Sequence, residues 1–377
     1  MVSPFQKALA KKIKAGTKRD LQLCQDYINF TSNDYLALST HPSVIQAAKA
    51  ALEKDGAGAT GARLLSGNSK ALEKLESELA QLKGQEAALI FNSGFQANLT
   101  ILGTLLSSQY YDKTPIVFSD RLNHASMHQG CQLAGIQQHR YHHLDYDHLQ
   151  SLIKKHAVPG HPHFILTESV FGMDGDKADL GIICDLAETI DASVYVDEAH
   201  ATGVYGKNGS GLSSDYANRL FGVMGTFSKA LGGFGAYFAG SQELKDFLIN
   251  FAPGFIYSTA LPPATIAANH QAVKLLPSLH HERHHLQALA QQVRSSFSQL
   301  GFNTGQSTTH IIPVILGDVE KCTKLHQHLK DAELLTSLIR SPTVPLHTSR
   351  LRLALNVKHT TEDIKLLTDI IGNSLIV

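Results

Sequence analysis

Hydrophobic positions along this chain fall into two textures. Between residues 69 and 83, Leu72, Leu75, Leu79 and Leu82 recur at helical spacing, with Asn68 or Ser69 as a cap and Gly84 as a stop, which predicts a helix. Short apolar runs follow: EAALIF at 86–91, TPIVFSD at 114–120, HFILTES at 163–169, ASVYVDEAH at 192–200 and RLFGVMGTFSK at 219–229. Several are continuous rather than alternating, as expected of strands covered on both faces, and they recur with about 30 residues between them. A mainly parallel sheet covered by helices is predicted.

From about residue 270 the texture changes. HIIPVILGD at 310–318 reads as a strand, and so does SRLRLALNV at 349–357. In the latter Leu351, Leu353 and Leu355 alternate with Arg350, Arg352 and Asn356, so the leucines share one face and the arginines the other. Thr360 with Asp363 opens a last helix carrying Ile364, Leu367 and Ile371. At the other end, Phe5, Leu9 and Ile13 among Lys7, Lys11, Lys12 and Lys14 predict an amphipathic first helix, too poor in Ser and Arg for a transit peptide. The expected division is an N-terminal helix and arm at 1–34, a large α/β domain at 35–268, and a smaller α+β domain at 269–377.

Charge and composition narrow the partners. The 377 residues hold 33 Lys plus Arg and 33 Asp plus Glu, so no net cationic field draws the chain to nucleic acid or an anionic membrane. Hydrophobic residues make up 43% and charged ones 18%, a globular balance, and no apolar run reaches the roughly 18 residues of a membrane span. Cys24, Cys131, Cys184 and Cys322 form no CxxC pair, which fits a reducing compartment, and the cytoplasm is the expected location. HHERHH at 280–285 has histidines at i, i+4 spacing, yet no Cys or carboxylate completes an obvious metal set. It reads as a solvated helix face, as does the group His139, His142 and His143, and no metal is expected.

In open parallel sheets ligands collect beyond the carboxyl ends of the strands, where helix N-termini converge. Strand endings here deliver His124, Glu168, Asp197 with His200, and Thr226 with Lys229. A lysine just past a buried strand loses solvation, which favours the neutral amine and Schiff-base chemistry, and Gly232, Gly233 and Gly235 leave room for a bulky group. A carboxylate at Asp197 suits a protonated pyridine nitrogen, making its ring an electron sink. Gly94 opens an apolar helix whose free amides could cradle a phosphate. GAGATG at 56–61 matches GxGxxG but follows the helical stretch SVIQAAKAALEKD instead of a strand, so a nicotinamide-dependent oxidoreductase rests on that loop alone. DEAH at 197–200 lacks the phosphate loop a helicase would need.

The strings NFTSNDYLAL, GAGATGARLLSGNS, NSGFQAN, DRLNHAS, TESVFGMDGDKADL, VDEAHATGVYG, TFSKALGGFGAY, IYSTALPPA and SPTVP with RLRL run in order over nearly the whole chain. Together they resemble the α-oxoamine synthases, pyridoxal-phosphate enzymes of the aspartate-aminotransferase fold type. That resemblance implies a fold type I large domain with a mainly parallel seven-stranded sheet. It makes Lys229 the covalent anchor of pyridoxal 5'-phosphate, pairs Asp197 with the ring nitrogen and His200 with the ring 3-hydroxyl, and stacks His124 on the ring. Ser93, Gly94, Phe95 and Thr226 fall to the phosphate side, while Ser258 and Thr259 reach a phosphate in the neighbouring subunit of a homodimer. Asn33, His124, Thr343 and Arg352 fall to the substrates. The PTVP, RLRL and VFxMDGD strings are most similar to the member that condenses L-alanine with pimeloyl-CoA or pimeloyl-acyl carrier protein; glycine-using members share the same residues. Gly172 stands where relatives often carry serine, Ala37 replaces a common glycine, and Lys7 is the candidate for a family arginine that contacts substrate.

Overall fold

The structure, a computed structural model, describes residues 3–374 apart from 22, 25 and 342, so Pro342 of the PTVP string lies outside the described residues. It divides into two compact units, the larger made of Asn33–Gly172 and Asp176–Gln287, the smaller of the described residues within Met1–Ser32, Met173–Gly175 and Ala288–Val377.

In the larger unit the predicted leucine stripe folds as α1, Lys70–Lys83. Ser69 accepts from the Leu72 amide, and Gly84, at φ +63°, closes the helix in the left-handed region that glycine enters without strain. Leu72, Leu75 and Leu79 are fully buried, each a contribution of about 1.5–3 kcal/mol from apolar area removed from water. The strands are β1 (Ala87–Phe91), β2 (Ile116–Asp120), β3 (Gln138–Tyr141), β4 (His163–Glu168), β5 (Ala192–Asp197), β6 (Gly222–Thr226) and β7 (Ala236–Gly240). They form one sheet in the order β1-β7-β6-β5-β4-β2-β3, parallel except for β7, which runs antiparallel to both its neighbours. Two strands escape the periodicity. QHRY of β3, at one sheet edge, is polar because three of its four residues are not buried, and AYFAG of β7 is glycine-flanked.

Because β1, β2, β4, β5 and β6 are co-directional, their carboxyl ends meet at one edge of the sheet. The chain leaves that edge into α2 (Gly94–Leu105) after β1 and α3 (Ala125–Leu133) after β2. The turn after β5 is pinned by an ion pair with no solvent exposure on either side: Lys83 Nζ lies 2.6 Å from Glu198 Oε2 and also donates to Thr202 Oγ1 and the Ser210 carbonyl. Burial opposes the charge on Lys83, but Glu198 and Tyr237 together outweigh it and the net effect raises the ammonium's pKa. A pair of this kind specifies geometry more than it stabilises, since both ions have left water.

The smaller unit holds a three-stranded antiparallel sheet with Ser349–Ala354 between Ser337–Ile339 and Ile311–Gly317. Ile28–Asn29 pairs separately with Leu334–Leu335, and the helices Val319–Asp331 and Thr361–Asn373 belong to the same unit. Thr360 and Asp363 form the capping box their spacing predicts. The arginine face of 349–354 is not solvated: all six residues are buried, and Arg350 ion-pairs with Asp174. The first helix forms at Pro4–Lys14 and buries none of its residues. No helix among the described residues is long and apolar enough to cross a membrane.

Candidate active site

Five of the residues expected to share a site lie on the converging strand ends of the larger unit. Past β6 the chain turns through the buried Phe227 and delivers Lys229, whose Nζ sits 2.9 Å from His200 Nε2. On the far side of that ring, Nδ1 is 2.6 Å from the Tyr35 hydroxyl, which donates to Asn33 Oδ1 at 3.0 Å. With its one proton given to Asn33, Tyr35 accepts from Nδ1–H, which leaves the Nε2 lone pair toward Lys229. Gly172 packs directly behind this ring. A Cβ there would run into His200 Nε2, so the departure from serine at 172 is what this placement of His200 requires.

Asp197 ends β5 nearly dry, at 3% exposure. Oδ1 accepts from the Ala199 amide and Oδ2 from Asn98 Nδ2, both at 2.8 Å. Asn98 is fully buried on α2; Tyr195, two residues before Asp197 and so on the same strand face, donates to its Oδ1 at 2.8 Å. Asn98 Nδ2 also reaches Ser126 Oγ at 3.0 Å, and Ser126 Oγ lies 2.7 Å from His124 Nδ1. His124 caps α3 and its own amide donates to Glu168 Oε1 at 2.6 Å. Burial pushes the His124 pKa down, with Asp197 raising and Lys229 lowering it, so both charges are near neighbours of the imidazole. Burial likewise lifts the Glu168 carboxyl well above the ordinary range, reinforced by Asp197. Asn98, Ser126, Tyr195 and Tyr35 were not picked out from the sequence. A lone asparagine on the buried face of an apolar helix was the available signal.

On the phosphate side, Ser93 caps α2 and accepts from the Gln96 amide, leaving the Gly94 and Phe95 amides at the helix start. A Cβ on Gly94 would lie 3.9 Å from Thr226 Cβ, an ordinary contact, so the turn after β1 and the end of β6 adjoin. Thr226 Oγ1 donates to the Gly235 carbonyl at 2.8 Å. Phe95 meets the His124 ring edge-on at 6.4 Å between centroids. Ser258 accepts from Gln96 Nε2 at 2.7 Å, and the Thr259 carbonyl accepts from Asn92. The glycines after Lys229 do not make room for a ligand. A Cβ on Gly232, at φ +61°, would strike the backbone of Ser39, and one on Gly233 would strike Asn269, so they admit the protein's own chain.

In the smaller unit Arg352 is buried in the central strand of its sheet. Thr343 accepts from Arg19 Nη2 at 3.2 Å, and the two line a cavity of about 270 Å³ with Lys12, Arg340 and Ser341. Lys12 and Arg19, and not Lys7, are the N-terminal cations that line this cavity, and Arg19 is the one that donates to Thr343.

A half-buried lysine beside a buried histidine and aspartate at the strand ends of a sheet with this topology already defines a class of protein. The chain matches the model of the aminotransferase class I and II family over residues 25–371, and it belongs to that family. It is 46% identical to the 8-amino-7-oxononanoate synthase of Gluconacetobacter diazotrophicus over 88% of this chain and 84% of that one. The crystal structure of 8-amino-7-oxononanoate synthase from Francisella tularensis superposes with a TM-score of 0.79 at 28% identity, covering 93% of this chain and 98% of that one. A high-resolution structure of SPT with a PLP internal aldimine superposes with a TM-score of 0.89 at 26% identity, covering 98% and 96%.

The histidines behave differently from a solvated face in one place. His280, His281, His284 and His285 are exposed on their helix, but His143 bridges Asp120 and Asp176 at 2.9 Å each. His142, Asp145 and His148 bring donor atoms within 4.8 Å of one another, but His148 Nδ1 already accepts from the His142 amide, so the neutral ring carries its proton on Nε2 and offers no second lone pair. For His143, burial alone would lower the pKa; the two carboxylates outweigh it and raise it to about 10. Through Asp176 this cation holds the loop that carries Gly172. A folded-state pKa above the ordinary value contributes stability that is complete below the unfolded pKa and lost as pH rises through the folded one. Urea unfolding midpoints should therefore fall between about pH 7 and about pH 10 in the wild type, and fall less in His143→Gln, which should also be the less stable near pH 7. Parallel pH curves for the two proteins would contradict this role.

Proposed function

We propose that the chain uses pyridoxal 5'-phosphate to condense L-alanine with a pimeloyl thioester, of coenzyme A or acyl carrier protein, giving 8-amino-7-oxononanoate, carbon dioxide and the free thiol in biotin biosynthesis. The observation that carries the reading is the 2.9 Å approach of Lys229 to His200 beside the dry carboxylate of Asp197. On pyridoxal phosphate the aldehyde and the 3-hydroxyl sit on neighbouring ring carbons, so an amine for one and an imidazole for the other must lie side by side. Those two residues do. Asp197, already held by two N–H groups, suits the ring nitrogen, and the amides of Gly94 and Phe95 with Thr226 suit the phosphate. The similarity to SPT is closer in backbone, but 46% identity to a named 8-amino-7-oxononanoate synthase against 26% to SPT favours the former activity.

When bound, the cofactor supplies an electron-withdrawing ring conjugated to the substrate's α-carbon. Asp197 would keep a proton on the ring nitrogen, and His200 would serve the 3-hydroxyl. Lys229 would hold the cofactor covalently and, as a free amine, would be the base that takes the α-proton of alanine and later returns one to the product. His124 would cover the ring face. By resemblance, Asn33 and Arg352 are each candidates for the substrate carboxylate, a task for which a planar bidentate guanidinium is suited, and Thr343 is the candidate for the acyl substrate.

Purified protein supplied with pyridoxal phosphate, pimeloyl-CoA and one amino acid at a time should release 8-amino-7-oxononanoate with alanine, detected by mass, and Lys229→Ala should abolish it while staying folded. A clear preference for glycine or serine would reject the alanine assignment, and full turnover by Lys229→Ala would reject the lysine.

The homodimer reading assigns Ser258 and Thr259 to the partner's phosphate. Mixing inactive Lys229→Ala with a phosphate-deficient Ser258→Ala/Thr259→Val double variant should then restore activity, because one site of each hybrid regains every wild-type group. No recovery in a verified hybrid would mean that both residues serve their own chain.

A further inference from the structure

We infer that Asn98 is a positioning residue that fixes the carboxylate of Asp197 and, through Ser126, holds His124 as a neutral ring with its proton on Nε2, so that His124 serves as a hydrogen-bond donor and not as a base. This deepens the proposed function and rests on it for the meaning of His124 and Asp197. The links among Asn98, Asp197, Tyr195 and Ser126 join buried groups, and the last reaches the more exposed His124. The Asn98 amide cannot flip: its Nδ2 faces a carboxylate, which only accepts, and its Oδ1 faces the Tyr195 hydroxyl at 2.8 Å. Burial raises the Tyr195 pKa well above 10, so the phenol keeps its proton and donates. The second Nδ2 proton is given to Ser126 Oγ at 3.0 Å.

Ser126 thereby becomes a donor in turn. Its hydroxyl has accepted from Asn98, and the acceptor within reach of its own proton is His124 Nδ1, 2.7 Å away. The Ser126 amide points at the same nitrogen from 3.3 Å. Two donors converging on Nδ1 require its lone pair, so the proton of a neutral imidazole resides on Nε2. A histidine in this state can hold a substrate carboxylate by an N–H, but has no free lone pair with which to compete with Lys229 for the α-proton. One asparagine thus orients two groups on neighbouring elements, Asp197 at the end of β5 and His124 at the start of α3.

The direct test is nitrogen NMR of the cofactor-free protein labelled with 15N-histidine, with the His124 signals assigned by their loss in His124→Gln. In the wild type His124 should show a protonated Nε2 and an unprotonated, hydrogen-bonded Nδ1. Ser126→Ala should show both tautomers, while pyridoxal phosphate affinity stays within about twofold. Asn98→Leu should show both tautomers and also bind pyridoxal phosphate about tenfold more weakly, the scale of one hydrogen bond to a charged group. If Asn98→Leu does not fold, Tyr195→Phe, which removes only the hydroxyl that fixes the amide, should shift both readouts in the same direction by less. A protonated Nδ1 in the wild type, or a folded Asn98→Leu with both readouts unchanged, overturns the inference. A wild type that fails to bind pyridoxal phosphate would sink the proposed function, and the tautomer in the cofactor-free protein would still decide this inference by itself.

Discussion

A carboxylate taken out of water has to be met by donors, and in this protein the one at Asp197 organises what surrounds it. Leaving such a group unmatched costs several kcal/mol, while a hydrogen bond to a charged group returns about 1.5–3 kcal/mol. Two N–H groups, from Ala199 and Asn98, supply that match from within the chain. They hold different oxygens, so the plane of the carboxylate is set as well as its position. What a bound ring nitrogen would meet is therefore prepared before any ligand arrives, the condition under which binding energy is not spent on reorganisation.

The rest of the larger unit keeps that arrangement rigid. The sheet brings five strand ends to one edge, and each of the groups that matter leaves a strand within a few residues. The buried Lys83–Glu198 pair fixes the turn that follows Asp197 and carries His200. His143 acts in the same way farther from the centre: its two carboxylate partners tie the end of β2 to the loop bearing Gly172, and Gly172 lets His200 stand next to Lys229. Buried ion pairs are a poor source of net stability but a good source of unique geometry, and here both sit behind catalytic candidates.

Much of this was legible in the residue order. The leucine stripe and its glycine stop specify α1 locally, and five apolar runs mark five of the seven strands of the sheet. Polar residues at the ends of those runs pointed to Lys229, His200, Asp197, His124 and Thr226. What stayed hidden depends on distant neighbours. QHRY has no apolar signature because three of its four side chains are not buried. Gly232 and Gly233 read as space for a ligand until Ser39 and Asn269 are seen to fill it. His143 sat in a histidine-rich stretch, and nothing in that stretch announces that Asp120 and Asp176 converge on it. Asn98 and Ser126 fall within the family-like strings, but their roles exist only once α2, α3 and β5 are side by side.

The central claim is that Lys229 is the amine that carries pyridoxal phosphate. Protein saturated with the cofactor, reduced with borohydride, digested and mapped by mass should carry one pyridoxyl group per chain, on Lys229. A label distributed over other lysines with Lys229 unmodified, or no label at all, would contradict the account.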